Sequence, residues 1–156
     1  MSSGADSQPG LVERLRRILP AAWAGMLLCV AGIAAPAAFA TQTRPDAGRL
    51  VGHLFTREAW TSVVLALLLL AIERRRARDA AEAGQGSVLS TEMLLVLGAV
   101  FCTVAGYFGV QPLMAAAREG QGTFSFGQLH LISTAFFAVK IALVALLAWR
   151  ATHASR

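Results

Sequence analysis

The chain has 156 residues, 56% hydrophobic and 15% charged, with a mean hydropathy of +0.58 and a net charge of +5. A soluble domain carries roughly 25% charged residues, so this composition excludes an ordinary water-soluble fold. It also argues against nucleic acid as a partner: the arginines stand in short clusters beside apolar runs, where they meet lipid head groups, and there is no basic face with interleaved aromatics.

A helical span needs about 20 mostly apolar residues, and four such spans nearly exhaust the chain. The expected fold is therefore an all-α integral membrane four-helix bundle with short loops, lying in the lipid bilayer. Residues 1–19 form a tail. Within it, Pro9 to Leu19 places Leu11, Val12, Leu15, Ile18 and Leu19 on one helical face, with Arg14, Arg16 and Arg17 largely off it. This is the pattern of a short N-terminal interfacial helix; the plainer reading is a basic tail that only orients the first span.

The first span is expected over residues 20–40, with Trp23 near one interface and Pro36 near the far end. Ala38-Phe39-Ala40 imitates a signal-peptide cleavage site, but the apolar run is longer than the usual 7 to 15 residues of such a region, so it is read as retained. The second span covers residues 58–73; its run Val63 to Ile72, VVLALLLLAI, packs as well against lipid as against protein, and this is expected to be the most lipid-exposed helix. Before it, Arg44 to Phe55 with Gly48 and Gly52 four apart reads as a helical extension rather than a tether. After it, a basic run from Arg74 to Arg78 leads into a loop at Gly84, Gln85, Gly86 and Ser87. The third and fourth spans are expected over residues 90–114 and 126–150, joined by a short glycine-containing connection, with a tail at 151–156.

Basic flanks mark the cytoplasmic side. With the N-terminus inside, the inner flanks hold Arg14, Arg16, Arg17, Arg74, Arg75, Arg76, Arg78, Arg150 and Arg156, and the outer flanks hold Arg44, Arg49, Arg57 and Arg118. Nine against four predicts a multi-pass protein of the bacterial inner membrane with both termini cytoplasmic.

Ionisable residues inside a span are costly and mark function by default. His130, Ser133, Phe137 and Lys140 recur at three, four and three residues, one stripe of the fourth helix. Lys140, the sole lysine, has two readings: its stem snorkels to the interface about 14 Å away, or it reaches Glu92, roughly 12 Å away in depth. His130 stands level with Tyr107 and Gln111 of the antiparallel third helix and is expected to bond across the bundle. The expected polar seam is thus His130, Ser133, Lys140, Glu92 and Gln111. Gly25, Cys29 and Gly32 on the first helix, and Gly98, Cys102 and Gly106 on the third, have the small-residue spacing of close helix packing. The two cysteines form neither a CxxC pair nor a disulfide framework, and a soft copper-like site would need them to face each other. No metal site or cofactor is implied. No nucleophile with a neighbouring base, phosphate loop or HExxH pattern is present, so no enzyme is expected.

Pro36-Ala37-Ala38-Phe39, Ala47-Gly48 with Gly52-His53-Leu54-Phe55, and Phe126-Gly127-Gln128-Leu129-His130-Leu131-Ile132-Ser133 resemble the bacterial members of the domain of unknown function 4149 family, which is similar to eukaryotic transmembrane protein 205. The resemblance covers about Leu19 to Arg150 and implies a four-helix membrane bundle without an assigned reaction. By looser similarity it implies kinship with copper-resistance membrane domains, carried over here only to His130 and Ser133. The functional expectation is a small membrane protein that binds or passes a small ion or solute through the polar seam, oligomeric because four helices enclose little room. The alternatives are a structural or assembly factor of a larger membrane complex, or a haem- or copper-binding accessory protein.

Overall fold

The computed structural model describes residues 10–84 and 89–153. The loop expected at Gln85, Gly86 and Ser87 lies outside the described residues, as do residues 1–9 and 154–156. Four helices are long and apolar enough to cross a membrane: α1 (Leu11–Thr41), α2 (Arg44–Glu82), α3 (Thr91–Arg118) and α4 (Phe126–His153). No strand occurs among the described residues. The all-α membrane four-helix bundle expected from the sequence is what the chain forms.

Helix starts follow local chemistry. Thr43 caps α2, its hydroxyl accepting from the Asp46 amide at 3.4 Å, and Pro45 fits the first turn, where no amide partner is needed. Ser125 and Gln128 cap α4 reciprocally: the Gln128 amide donates to Ser125 Oγ at 3.3 Å, and the Ser125 amide donates to Gln128 Oε1 at 2.9 Å. Ser90 caps α3, its hydroxyl accepting from the Met93 amide at 3.2 Å. Between α3 and α4 the chain turns through Gly120 and Gly122, whose φ of 73° and 98° would strain any residue with a Cβ.

One boundary differs from expectation, and one expected extension is realised. The interfacial helix and the first span are one helix, continuous through the buried Pro20, because Arg16 and Trp23 bond to Glu73 and Ser62 of α2 and hold the tail on the bundle. The extension before the second span is realised in full: α2 runs 39 residues, about 58 Å at 1.5 Å per residue, well beyond a hydrocarbon core of about 30 Å.

The helices form an up-down ring in which each packs on its two neighbours, α1 on α2, α2 on α3, α3 on α4 and α4 on α1. The start of α1, the end of α2, the start of α3 and the end of α4 lie at one end, called here the terminal end; the other is the distal end. The terminal half is solid, with Trp23, Leu27, Leu69, Val96, Val144 and Leu147 in one buried cluster. Arg16 of α1 donates to Glu73 of α2 at 3.0 Å, both side chains 5% exposed, which fixes these helices at that end. The helix with the least of its apolar window covered is α4, 17% buried against 28% in α2. The second helix is therefore not the most lipid-exposed one, because Ser62, Ala66 and Leu69 turn one side of it into the core.

Candidate functional site

Two helices depart from regular winding in the distal half. α1 contains a wide π-type turn over Val30–Ala34, and α3 contains another over Val104–Gly109. Such turns free backbone groups and recur at functional sites. Here Ser133 Oγ of α4 donates to the Gly106 carbonyl at 2.9 Å, a bond worth about 0.6 kcal/mol in a membrane. Beside the same turn, Tyr107 shares a 2.6 Å hydrogen bond with Thr56 of α2.

Between these distortions lies a cavity of about 600 Å³, within the roughly 300–1,000 Å³ of small-molecule sites. All four helices line it. Its floor is Lys140 and Glu58, its walls include Phe39, Phe55, Phe137 and Cys102, and its rim carries Arg44, Arg118, Gln111 and His130. On α4 the lining residues run from Phe126 to Lys140, about 21 Å along the axis. The room arises inside one chain, beside the two wide turns of α1 and α3.

The floor is an ion pair that crosses the bundle diagonally. Lys140 Nζ of α4 donates to Glu58 Oε1 of α2 at 2.8 Å, with both side chains 2% exposed. Ser62, one turn below, donates to the same Glu58 oxygen and accepts from Trp23 Nε1 of α1 at 2.8 Å. The ammonium also lies 4.7 Å from the centre of the Phe137 ring, which packs edge-to-face with Phe55 at 5.1 Å between ring centres. Every buried polar side-chain atom among the described residues has a hydrogen-bond partner. Each charge of the pair therefore faces its opposite, and the ammonium rests against an aromatic face as well, which is the condition for burying ions at all.

Both readings of Lys140 are corrected by this geometry. It neither snorkels nor reaches Glu92. Glu92 stands at the terminal end and accepts from Arg150 at 3.0 Å and 2.9 Å, in a half-exposed pair of the kind worth about 0–1 kcal/mol. Glu92 therefore drops out of the polar seam and Glu58 takes its place. His130, Ser133, Lys140 and Gln111 do line one space, as the helical stripe implied. His130, however, does not bond across to Tyr107: its ring is exposed at the rim and stacks on Phe126 at 5.9 Å, because one turn of offset suffices to bring those two rings together.

The small-residue series divide. On α3, an added Cβ at Gly106 would sit 2.5 Å from Phe136 Cβ, and one at Gly98 would sit 3.0 Å from a Leu143 methyl, so this face is pressed against α4. On α1, an added Cβ at Gly25 or Gly32 would meet nothing within 4 Å and Cys29 is exposed, so that face packs on nothing within the chain. Cys29 thus points away from the buried Cys102, and the facing thiol pair a soft-metal site would need does not form. Among the described residues no three histidine, cysteine or acidic side chains gather at metal-binding distance.

No curated protein and no solved structure matches the chain. The model of one family does, over residues 18–123, and its description is a domain of unknown function, DUF4149. That match ends before α4, so the Phe126 to Ser133 pattern lies outside it. Since the matched segment takes in α1 from its third turn, all of α2 and all of α3, the chain belongs to the DUF4149 family.

Proposed function

We propose that this protein binds a small solute in the distal cavity, as a multi-pass protein of the bacterial inner membrane with both termini in the cytoplasm. The observation that carries the reading is the cavity itself: about 600 Å³ reaching inward to a floor formed by the buried Lys140–Glu58 ion pair. Binding is favoured over passage because the terminal half beneath that floor is filled by Trp23, Leu27, Leu69 and Val144. It is favoured over catalysis because Lys140 and Glu58 spend their charges on each other. The orientation rests on the arginine-rich terminal end, which puts the cavity mouth on the outer side.

Cys102 lines the cavity and Cys29 does not, which supplies a direct test. In a Cys29→Ser protein reconstituted in lipid nanodiscs, Cys102 should react with the small water-soluble anion 2-sulfonatoethyl methanethiosulfonate without unfolding. Gly52→Phe, which places a ring where an added Cβ has open space beside the cavity, should slow that reaction at least tenfold. A thiol that reacts only after denaturation would sink the reading.

A second reading, self-association or docking beside a larger membrane complex, is supported by the uncovered Gly25, Cys29 and Gly32 face of α1, since small residues let helices approach closely. Oxidative crosslinking through Cys29 in native membranes should then trap a dimer of the chain. Monomer alone would remove self-association through this face.

A further inference from the structure

The chemistry of the cavity changes along its length, and its side wall is incomplete. As far as Cys29, α1 packs against α4; beyond it, the Val30–Ala34 turn and the last turns of α1 pack on α2 instead. The two helices thus part in the distal half, and the cavity lies beside that gap with Phe39 on one flank and Phe126 on the other. A gap at that level faces lipid rather than water.

At the rim the charge is one-sided. Arg44 and Arg118 both line the cavity, and neither pairs with a carboxylate among the described residues; Arg118 instead lies 4.7 Å over the Phe126 ring. Asp46, the acidic side chain two residues from Arg44, is already held by Thr43 and Arg49. Two guanidinium groups at the end of an aromatic-walled slot fit a head group that accepts planar, charge-assisted hydrogen bonds. The aromatic walls fit a hydrocarbon chain, and the floor is neutral in sum, so it repels neither the chain nor its terminal methyl.

We propose that the ligand is a single-chain amphiphile with an anionic head, drawn from the distal leaflet through the gap between α1 and α4. Its head lies between Arg44 and Arg118, and its chain runs past Phe39 and Phe137 toward Lys140. This assignment deepens the binding reading above and rests on it.

The test uses the full-length Cys29→Ser protein in nanodiscs of zwitterionic lipid, with Cys102 reactivity as the readout. Palmitate should slow the labelling of Cys102 at least tenfold. Its methyl ester, the sixteen-carbon trimethylammonium amphiphile and acetate should each slow it less than twofold. The Arg44→Gln, Arg118→Gln double variant, referred to its own rate without additive, should lose most of the palmitate effect. Equal protection by the ester or the ammonium would show that the anionic head plays no part and would overturn the proposal. Protection by acetate would do the same for the chain, and so would full palmitate protection in the double variant. Reactive Cys102 that palmitate leaves unprotected would overturn this assignment alone; Cys102 unreactive from the start would overturn the binding reading with it.

Discussion

Replacing Lys140 by methionine should destabilise the bundle by about 3–5 kcal/mol, the cost of stranding one member of a buried ion pair. In the native protein Glu58 receives the Lys140 ammonium at 2.8 Å and the Ser62 hydroxyl on one oxygen. Without the ammonium, the carboxylate keeps only the neutral Ser62 donor at a site with 2% side-chain exposure, so it must take up a proton or draw in water from the cavity. Glu58→Gln should cost a comparable amount for the mirror reason, since it strands the ammonium. The double variant Glu58→Gln, Lys140→Met removes both charges and should recover most of the loss, because a buried pair exchanged for neutral groups of similar volume is often neutral in stability. Unfolding in detergent of the wild type, the two single variants and the double variant forms a complete cycle. A Lys140→Met protein as stable as the wild type would mean that the pair is not buried as described. Single and double losses that simply add would mean that the two groups do not interact.

Gly106→Ala should destabilise the α3–α4 contact by about 1–3 kcal/mol, the usual cost of overpacking a tight interior. The added methyl would lie 2.5 Å from Phe136 Cβ, and a Cβ cannot rotate away as the end of a long side chain can. The gain in helix propensity, at most about 1 kcal/mol, is too small to offset it. The displaced helix would also stretch the 2.9 Å bond from Ser133 to the Gly106 carbonyl. Gly25→Ala is the internal control: nothing lies within 4 Å of that position, so propensity alone operates and the change should be neutral or slightly stabilising. Thermal unfolding of the two variants side by side decides between the two effects. Equal behaviour would show that the α3 face is no more tightly packed than the α1 face.

The different fates of Glu92 and Glu58 show how far local pattern carries. Depth along a helix is countable from the sequence, so a lysine at position 140, nine residues short of the last aromatic of α4, is visibly intramembrane. Its partner is harder to see, because pairing depends on which helices face each other diagonally, and spacing along one helix contains no such information. Taking the second span to begin at Glu58 placed that residue at an interface; α2 in fact begins at Arg44, which buries Glu58 fourteen residues deep. One signal was available. Glu58, Ser62, Ala66, Leu69, Glu73 and Ala77, all buried, recur at three or four residues, and such a stripe marks both carboxylates as facing inward. Glu73 then meets Arg16, which otherwise reads as one more orienting charge of a tail.

Hydropathy, the caps at Thr43, Ser90 and Ser125 and the glycine turn after α3 determine that the chain makes four membrane helices and roughly where each begins, because insertion and capping are local free energies summed over neighbouring residues. The stripe on α4 likewise determines that His130, Ser133 and Lys140 share a face. Only the tertiary structure decided that Lys140 closes on Glu58, that the Gly106 face is packed while the Gly25 face is bare, and that a cavity opens above the pair. Those outcomes depend on where two wide turns fall relative to each other and on which helix each wall leans against. They are set by packing across the bundle, between residues as far apart in the chain as Glu58 and Lys140.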